Sequence, residues 1–213
     1  MLSLDSTNWR GRAEMTEETQ PPHREATYED LVALPARMVG EILGGKLFAS
    51  PRPASPHSAA SLALGGELIG PFQRGRGGPG GWWFFNEPEL HFGKDVLVPD
   101  LAGWRRSRMP VRSNTPFFTL SPDWVCEVLS PSTARIDRTL KKEIYAREGV
   151  EYVWLVDPVL RILEVLRLHG GQWLEKGSWS GNARIRAEPF EALELELEAL
   201  WFSEAPEPEP EPG

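Results

Sequence analysis

The chain has 213 residues, of which 40% are hydrophobic, with nine tryptophans, one cysteine and a formal net charge of −8. This length and composition predict one sizeable core and a single main domain. The sequence has no run of 18 apolar residues and no apolar segment behind a basic start, which argues against a membrane span or a secretory signal. A lone cysteine excludes an internal disulfide, and we expect a cytoplasmic protein.

Both ends of the chain differ in composition from the middle. Residues 1–24 are polar without apolar periodicity, and residues 204–213 alternate Glu and Pro, so we predict that both are disordered around a domain at 25–203. These tails account for most of the net negative charge, because residues 1–24 carry four acids against three arginines and residues 204–213 carry four glutamates. The acidic balance therefore argues only weakly against a polyanionic partner.

The first predicted elements are a short helix, a hairpin and a longer helix. Thr27 and Asp30 form a capping-box pattern, and Pro35 limits that helix to about two turns. Gly44-Gly45 between two apolar runs predicts a tight hairpin with Glu41 on its first strand. A helical pattern follows, with Ser55 or Ser58 as its cap, and leads into a glycine- and arginine-rich loop.

The rest of the chain reads as strands around one helix. The segments "GWWFF", "ELHF", "DVLVPDLAGW" and "DWVCEVL" predict successive strands of one sheet. The helix "TARIDRTLKKEIYAREGV" is expected to end at Gly149. Three more strands follow in "EYVWLVD", "RILEVLRL" and "GQWLEKGSW", and "FEALELELEALWF" predicts a short strand with a final helical turn.

Two carboxylates stand within apolar strand patterns. Glu127 shares a strand face with Val125 and Leu129, whereas Cys126 faces the opposite way and is expected to be a core residue. Asp100 likewise follows apolar residues on one face of its strand. Two neighbouring carboxylates repel unless a cation lies between them, and Mg²⁺ is the ion that suits hard oxygen ligands.

The predicted helix adds a positive charge near these acids. Ile136, Leu140 and Ile144 form its expected buried stripe, with Lys141 at the border and Lys142 pointing to solvent. Lys141 is therefore expected to lean toward the acids, where a lysine can orient or deprotonate an attacking water.

Three segments in this order and spacing resemble the Uma-two family of endonucleases: "VPDLAGW", "PDWVCEVLSPST" and "DRTLKKEIYAREGVEYVWLVDP". The family lies within the restriction-endonuclease-like P-D…(D/E)-x-K superfamily, and the resemblance runs from about Tyr28 to Phe202. It implies an α/β (α+β) fold, with a mixed β-sheet core flanked by helices and an N-terminal helix and β-hairpin. It also implies a bound divalent metal, Mg²⁺ or Mn²⁺, and hydrolysis of phosphodiester bonds.

The same resemblance assigns roles to individual residues. Asp100 and Glu127 match the metal ligands, Glu41 matches an early glutamate of the same acidic site, and His57 matches a frequent histidine at a helix start. The superfamily lysine would fall at Leu129, and in this family it resembles one that has migrated to the next helix, which fits Lys141. We therefore expect an endonuclease acting on nucleic acid, with DNA as the expected substrate and a homodimer left open.

Plainer interpretations of these residues stay open at this stage. Asp100 and Glu127 could be structural acids paired with nearby arginines, Lys141 a surface lysine, and His57 and Tyr145 packing residues. Six arginines could bind phosphates near the site, or they could be solvated residues that offset the net negative charge of the protein. They are Arg74, Arg76, Arg105, Arg106, Arg108 and Arg112. The alternative function is a non-catalytic protein of this fold that binds nucleic acid or another protein.

Overall fold

The protein is described here by a computed structural model that covers residues 24–52, 54–111 and 114–201. The predicted disordered tails, 1–24 and 204–213, lie outside the described residues except for Arg24, whose guanidinium binds Asp30. Within the described part of the chain, no helix combines the length and hydropathy that a membrane crossing requires.

The helices and strands alternate along the chain. The helical segments are α1 (Tyr28–Val32), α2 (Ser55–Leu68) with a π-helical turn (Ile69–Gln73), α3 (Ala134–Ile136) with a π-helical turn (Asp137–Lys141), α4 (Lys142–Arg147), and a 3-10 turn (Leu197–Leu200). The strands are β1 (Met38–Leu43), β2 (Lys46–Pro51), β3 (Trp82–Asn86), β4 (Leu90–Phe92), β5 (Asp95–Leu97), β6 (Leu101–Arg105), β7 (Trp124–Val128), β8 (Tyr152–Asp157), β9 (Ile162–His169), β10 (Gln172–Ser180), β11 (Arg184–Ile185) and β12 (Leu195–Glu196).

The strands form two main sheets and a small two-stranded one. The six-stranded sheet has the order β10-β9-β8-β7-β6-β3, with β7 and β8 parallel and every other pair antiparallel. An antiparallel four-stranded sheet has the order β2-β1-β5-β4, and β11 pairs with β12. This mixed α/β architecture is the predicted fold class.

Local sequence signals at the N-terminal end form as predicted. The carboxylate of Asp30 accepts hydrogen bonds from the backbone N–H and the hydroxyl of Thr27. Gly44 and Gly45 both have positive φ, 58° and 75°, in the turn between β1 and β2. The cap predicted for α2 is wrong, because Ala54 takes that place and Ser55 begins the helix.

The prediction of one strand across "DVLVPDLAGW" and of a single sheet is wrong. The segment is divided between β5, in the four-stranded sheet, and β6, in the six-stranded sheet. Pro99 lies at the division, where a residue without an N–H cannot continue a strand ladder. Asp100 therefore lies in the short link between the two sheets rather than within a strand, and this link brings the sheets together.

The two faces of the six-stranded sheet carry separate apolar clusters. Cys126 packs with Trp124 and Val128 beneath α2, whereas Val125 and Leu129 pack with the helical region of α4. Cys126 is fully buried and unpaired, as expected of a core residue. Glu127, on the Val125 face, is thus separated from Cys126 by the sheet itself.

The helical region after β7 departs from the predicted register. The π-helical turn Asp137–Lys141 inserts an extra residue per turn and rotates the side chains that follow. As a result Leu140, predicted to be buried, is 37% exposed, while Lys141 is only 3% exposed. Lys142, predicted to be solvated, is half-buried, and its carbonyl accepts a hydrogen bond from Trp173 Nε1.

Gly103 occupies a position on β6 where no side chain has room. A Cβ atom there would lie 3.0 Å from Phe84 Cε1 and 3.2 Å from Trp124 Cε3, in the aromatic core under α2. We expect Gly103→Ala to lower the free energy of unfolding by about 1–3 kcal/mol, measured by urea denaturation. Gly70→Ala is the control, because a Cβ there meets nothing within 4 Å; equal losses in both variants would contradict the packing argument.

Candidate active site

A cavity of about 290 Å³ opens where the link between the two sheets meets the helical region after β7. We call it the acidic cavity. Its charged and imidazole side chains are those of Glu41, Arg52, His57, Glu87, Asp100, Glu127, Asp137 and Lys141. The structure thus brings together all four predicted site residues, Glu41, Asp100, Glu127 and Lys141, from four different segments of the chain.

Lys141 lies at the centre of the carboxylates. Its Nζ is 2.8 Å from Glu127 Oε1, 3.1 Å from Glu41 Oε1 and 3.3 Å from Asp137 Oδ1. Because Lys141 and Glu127 are 3% and 2% exposed, this is a buried ion-pair network. The interpretation of Lys141 as a surface lysine is therefore wrong, since the π-helical turn directs it inward.

Burial and charge set the protonation of this network. Burial alone would lower the pKa of Lys141, but the negative charges of Glu127 and Glu41 outweigh it and hold that pKa well above its ordinary value. Burial raises the pKa of Glu127, opposed by Lys141 and reinforced by Asp137, Asp100 and Glu41. The cavity holds more carboxylates than one ammonium group neutralises, so it favours a further cation or proton.

Asp100 and Glu41 are held in place by backbone amides of neighbouring segments. Asp100 Oδ2 accepts a hydrogen bond of 2.7 Å from the N–H of Val128, one residue after Glu127. Glu41 Oε1 accepts one of 2.8 Å from the N–H of Val98, two residues before Asp100. These two hydrogen bonds connect β1, the link and β7, and they hold the carboxylates of Asp100 and Glu41 in the wall of the acidic cavity.

His57 stands at the first turn of α2 and faces Asp100. Its Nε2 is 3.3 Å from Asp100 Oδ1. Burial opposes protonation of the imidazole, but the hydrogen bond and negative charge of Asp100 outweigh it and raise the pKa of His57. His57 is therefore part of the cavity wall and a partner of Asp100.

The carboxylates of the acidic cavity are suitable ligands for a divalent ion. Among the described residues, no group of three or more His, Cys, Asp or Glu side chains stands in ligand geometry. Asp100 and Glu127 can offer one or two carboxylates, and Mg²⁺ is commonly bound this way, with water and substrate phosphate completing its shell. The excess of carboxylates over cations in the cavity fits such an ion.

A profile of the Uma2 family, described as "Putative restriction endonuclease", matches residues 27–199. The chain belongs to the Uma2 family. The resemblance expected from the sequence is confirmed.

A solved structure supports the same conclusion. The Uma2 chain resembles the crystal structure of "a putative nuclease belonging to DUF820" from Anabaena variabilis, with a TM-score of 0.63 and 25% sequence identity. The match covers 83% of this chain and 97% of the other. A search of curated proteins gives no match. Family and neighbour are both described as nucleases, which supports a nuclease-type hydrolase with a nucleic-acid substrate.

Sequence reasoning missed some residues of this Uma2 cavity. Asp137 is buried and pairs with Lys141 four residues later, a spacing on a helix that could have signalled the pair. Tyr145, considered only for packing, is buried and donates its hydroxyl to Glu127 Oε1 at 2.5 Å. Arg52, exposed at the cavity rim, gave no recognisable pattern.

The arginines at and just after the end of β6 do not line the acidic cavity. Arg105 pairs with Asp123 and Glu151, and Arg108 pairs with Asp123. Arg106 stacks over Trp83 and donates to the carbonyl oxygens of Trp82 and Gln73. Arg105 also lies at the far end of β6 from Asp100, about 16 Å away at the rise of a strand.

The proposed pairing of Asp100 and Glu127 with these arginines is accordingly wrong for the described members of the group. Arg112 lies outside the described residues. Arg74 and Arg76 are exposed in the loop before β3 and do not line the acidic cavity.

Proposed function

We propose that this Uma2 protein is a divalent-metal-dependent endonuclease that hydrolyses phosphodiester bonds of DNA. One observation carries the proposal: a solvent-accessible cavity in which the carboxylates of Glu41, Glu127 and Asp137 surround the buried ammonium group of Lys141, with Asp100 lining the same cavity. Such a cavity attracts cations and repels polyanions unless a metal is bound. We therefore expect the metal ion and a phosphate of the substrate to bind in the acidic cavity together.

Asp100 and Glu127 are the residues proposed to hold Mg²⁺ or Mn²⁺. When bound, such an ion would acidify an attacking water and neutralise charge on the phosphate. The backbone bond from Val128 to Asp100 and the hydroxyl of Tyr145 on Glu127 keep the two carboxylates in fixed positions. Preorganised ligands of this kind need little rearrangement when substrate arrives.

Lys141 is proposed to act through its charge. The negative charges of Glu127 and Glu41 raise the pKa of Lys141 and favour its ammonium form. As an ammonium donor it can orient a water or stabilise the charge that develops on the phosphate. Glu41 and Asp137 hold Lys141 from the other sides and so position it.

Arg52 adds an exposed cation to the acidic cavity. It lines the cavity together with the carboxylates. An arginine there can bind a phosphate of the substrate outside the reacting group. An exposed cation beside the acidic side chains suits a substrate in which one phosphate reaches the metal and a neighbouring phosphate binds the arginine.

The test is cleavage by purified protein. We expect it to nick or degrade DNA in Mg²⁺ or Mn²⁺ and to stop when a chelator removes the metal. Cys126→Ala should cut as the wild type does, because Cys126 lies on the other face of the sheet. Cleavage that survives chelation would contradict the proposal. Nucleic-acid binding without cleavage in any metal would favour the non-catalytic alternative.

A further inference from the structure

A second pocket, of about 370 Å³, lies beside the acidic cavity between α2 and the edge strand β3. We call it the apolar pocket, since carbon dominates its walls. The helix side is formed by Leu62, Gly65, Gly66 and Ile69, and the strand side by the ring of Phe84. Phe85 also lines the pocket, but its ring packs against Trp104 and Phe118 on the other face of the sheet. The two spaces adjoin, because His57, Glu87 and Asp100 line both.

The pocket has a rigid aromatic wall and an open helical one. Phe84 is held edge-on by Trp124 and Phe190, with ring centroids 5.8 Å and 5.6 Å away. On the helix, a Cβ at Gly66 would meet nothing within 4 Å, and Leu62, one turn earlier, is 78% exposed. The pocket therefore presents the ring of Phe84 and an unobstructed helix position at Gly66 to a flat ligand.

The junction between the two spaces is fixed by Glu87. Its φ of 45° is unusual for a residue with a side chain, and its N–H donates to the carbonyl of Asp100 at 3.0 Å. Asn86 and Glu87 place an amide and a carboxylate at the rim of the apolar pocket. The pocket thus offers apolar faces and a polar edge directly next to Asp100.

Resting on the nuclease function proposed above, we infer that the apolar pocket holds one unstacked nucleobase of the substrate, adjacent to the phosphate that is cut. A base is flat, has apolar faces and a hydrogen-bonding edge, and is attached close to its own phosphate. Aromatic and apolar walls next to a phosphate site bind bases largely without regard to sequence. The asparagine and glutamate at the rim can contact the edge of the base.

The inference specifies the form of the substrate. A base stacked inside a duplex cannot reach a pocket, so the nucleotide must be single-stranded or extruded from the helix. Single strands, mismatches and gaps need the least unstacking and should bind best. Intact duplex should bind more weakly to the same protein.

Gly66→Leu tests the pocket without disturbing the core. A Cβ at Gly66 meets nothing within 4 Å, and replacing glycine in a helix favours folding. Gly70→Leu is the matched control, because Gly70 also has free space and does not line the pocket. Before binding is measured, both variants are checked for a melting temperature at least as high as that of the wild type.

Binding is measured with a short single-stranded oligonucleotide carrying 2-aminopurine, in Ca²⁺ in place of Mg²⁺, so that the result does not depend on cleavage. We expect wild type and Gly70→Leu to bind alike and to change the probe's fluorescence, and Gly66→Leu to bind about tenfold more weakly. Removal of the base from the oligonucleotide should weaken its binding to the wild type by the same factor. It should not weaken binding to Gly66→Leu any further.

Equal binding by Gly66→Leu and Gly70→Leu, or indifference of wild type to the missing base, would overturn the inference. So would a homodimer that Gly66→Leu dissociates, because a second copy would then cover the pocket. The experiments distinguish failure of the nuclease proposal from failure of the base-binding proposal. Base-dependent binding without cleavage in Mg²⁺ contradicts only the nuclease function. Cleavage without any base dependence defeats only the pocket, and a protein that binds no nucleic acid defeats both.

Discussion

Asp100→Asn and Glu127→Gln are each expected to lower the rate of Mg²⁺-dependent cleavage by at least about 100-fold. Loss of a residue that merely supports a metal ligand typically costs about 10–100-fold, and these residues are the proposed ligands themselves. The amide substitutions keep side-chain shape. Asparagine can still accept the hydrogen bond from the Val128 N–H, and glutamine can still accept that from Tyr145.

Two measurements separate lost metal binding from lost folding. Mg²⁺ should raise the melting temperature of the wild type, since a ligand that binds only the folded state stabilises it, and this rise should disappear in both variants. Asp157→Asn is the control, because that half-buried aspartate accepts backbone bonds from Val159 and Leu160 outside the cavity. Retained cleavage in Asp100→Asn or Glu127→Gln would refute their assignment as ligands.

Lys141→Met is expected to lower both stability and activity. Removing the only lysine of the acidic cavity leaves Glu127, Glu41 and Asp137 facing one another, and breaking a buried ion pair costs about 3–5 kcal/mol. For a chain of this size the melting temperature should fall by roughly 6–20 °C. The cleavage rate in saturating Mg²⁺ should fall about 10²–10³-fold, the range for loss of one charge-stabilising donor.

The adjacent lysine provides a matched control. Lys142 is half-buried and does not line the cavity, so Lys142→Met should change stability by less than about 1 kcal/mol and leave cleavage intact. Adding Glu127→Gln to Lys141→Met should recover part of the lost stability, because one unpaired charge is removed. A Lys141→Met protein that is destabilised but cuts at the wild-type rate would show that the lysine is structural.

Local patterns in the sequence were sufficient for much of the fold. The Gly44-Gly45 turn, the capping box at Thr27 and the alternation that separates Glu127 from Cys126 depend on neighbouring residues alone. The order and spacing of the motifs indicated the family, and the family resemblance indicated four site residues. These residues, Glu41, Asp100, Glu127 and Lys141, line one cavity in the structure. These features follow from short-range geometry and motif spacing.

Tertiary contacts decided the details that make the site. The division of one apolar segment at Pro99 into strands of two sheets depends on which partner strands are available, and it places Asp100 in the link. The π-helical turn that buries Lys141 and exposes Leu140 breaks the regular 3.6-residue period from which the register was predicted. Likewise Arg105 binds Asp123 and Glu151, partners distant in sequence that no local pattern identifies. The sequence by itself determined which residues are charged and in what order they occur, whereas only the packing of sheets and helix determined which of those charges meet.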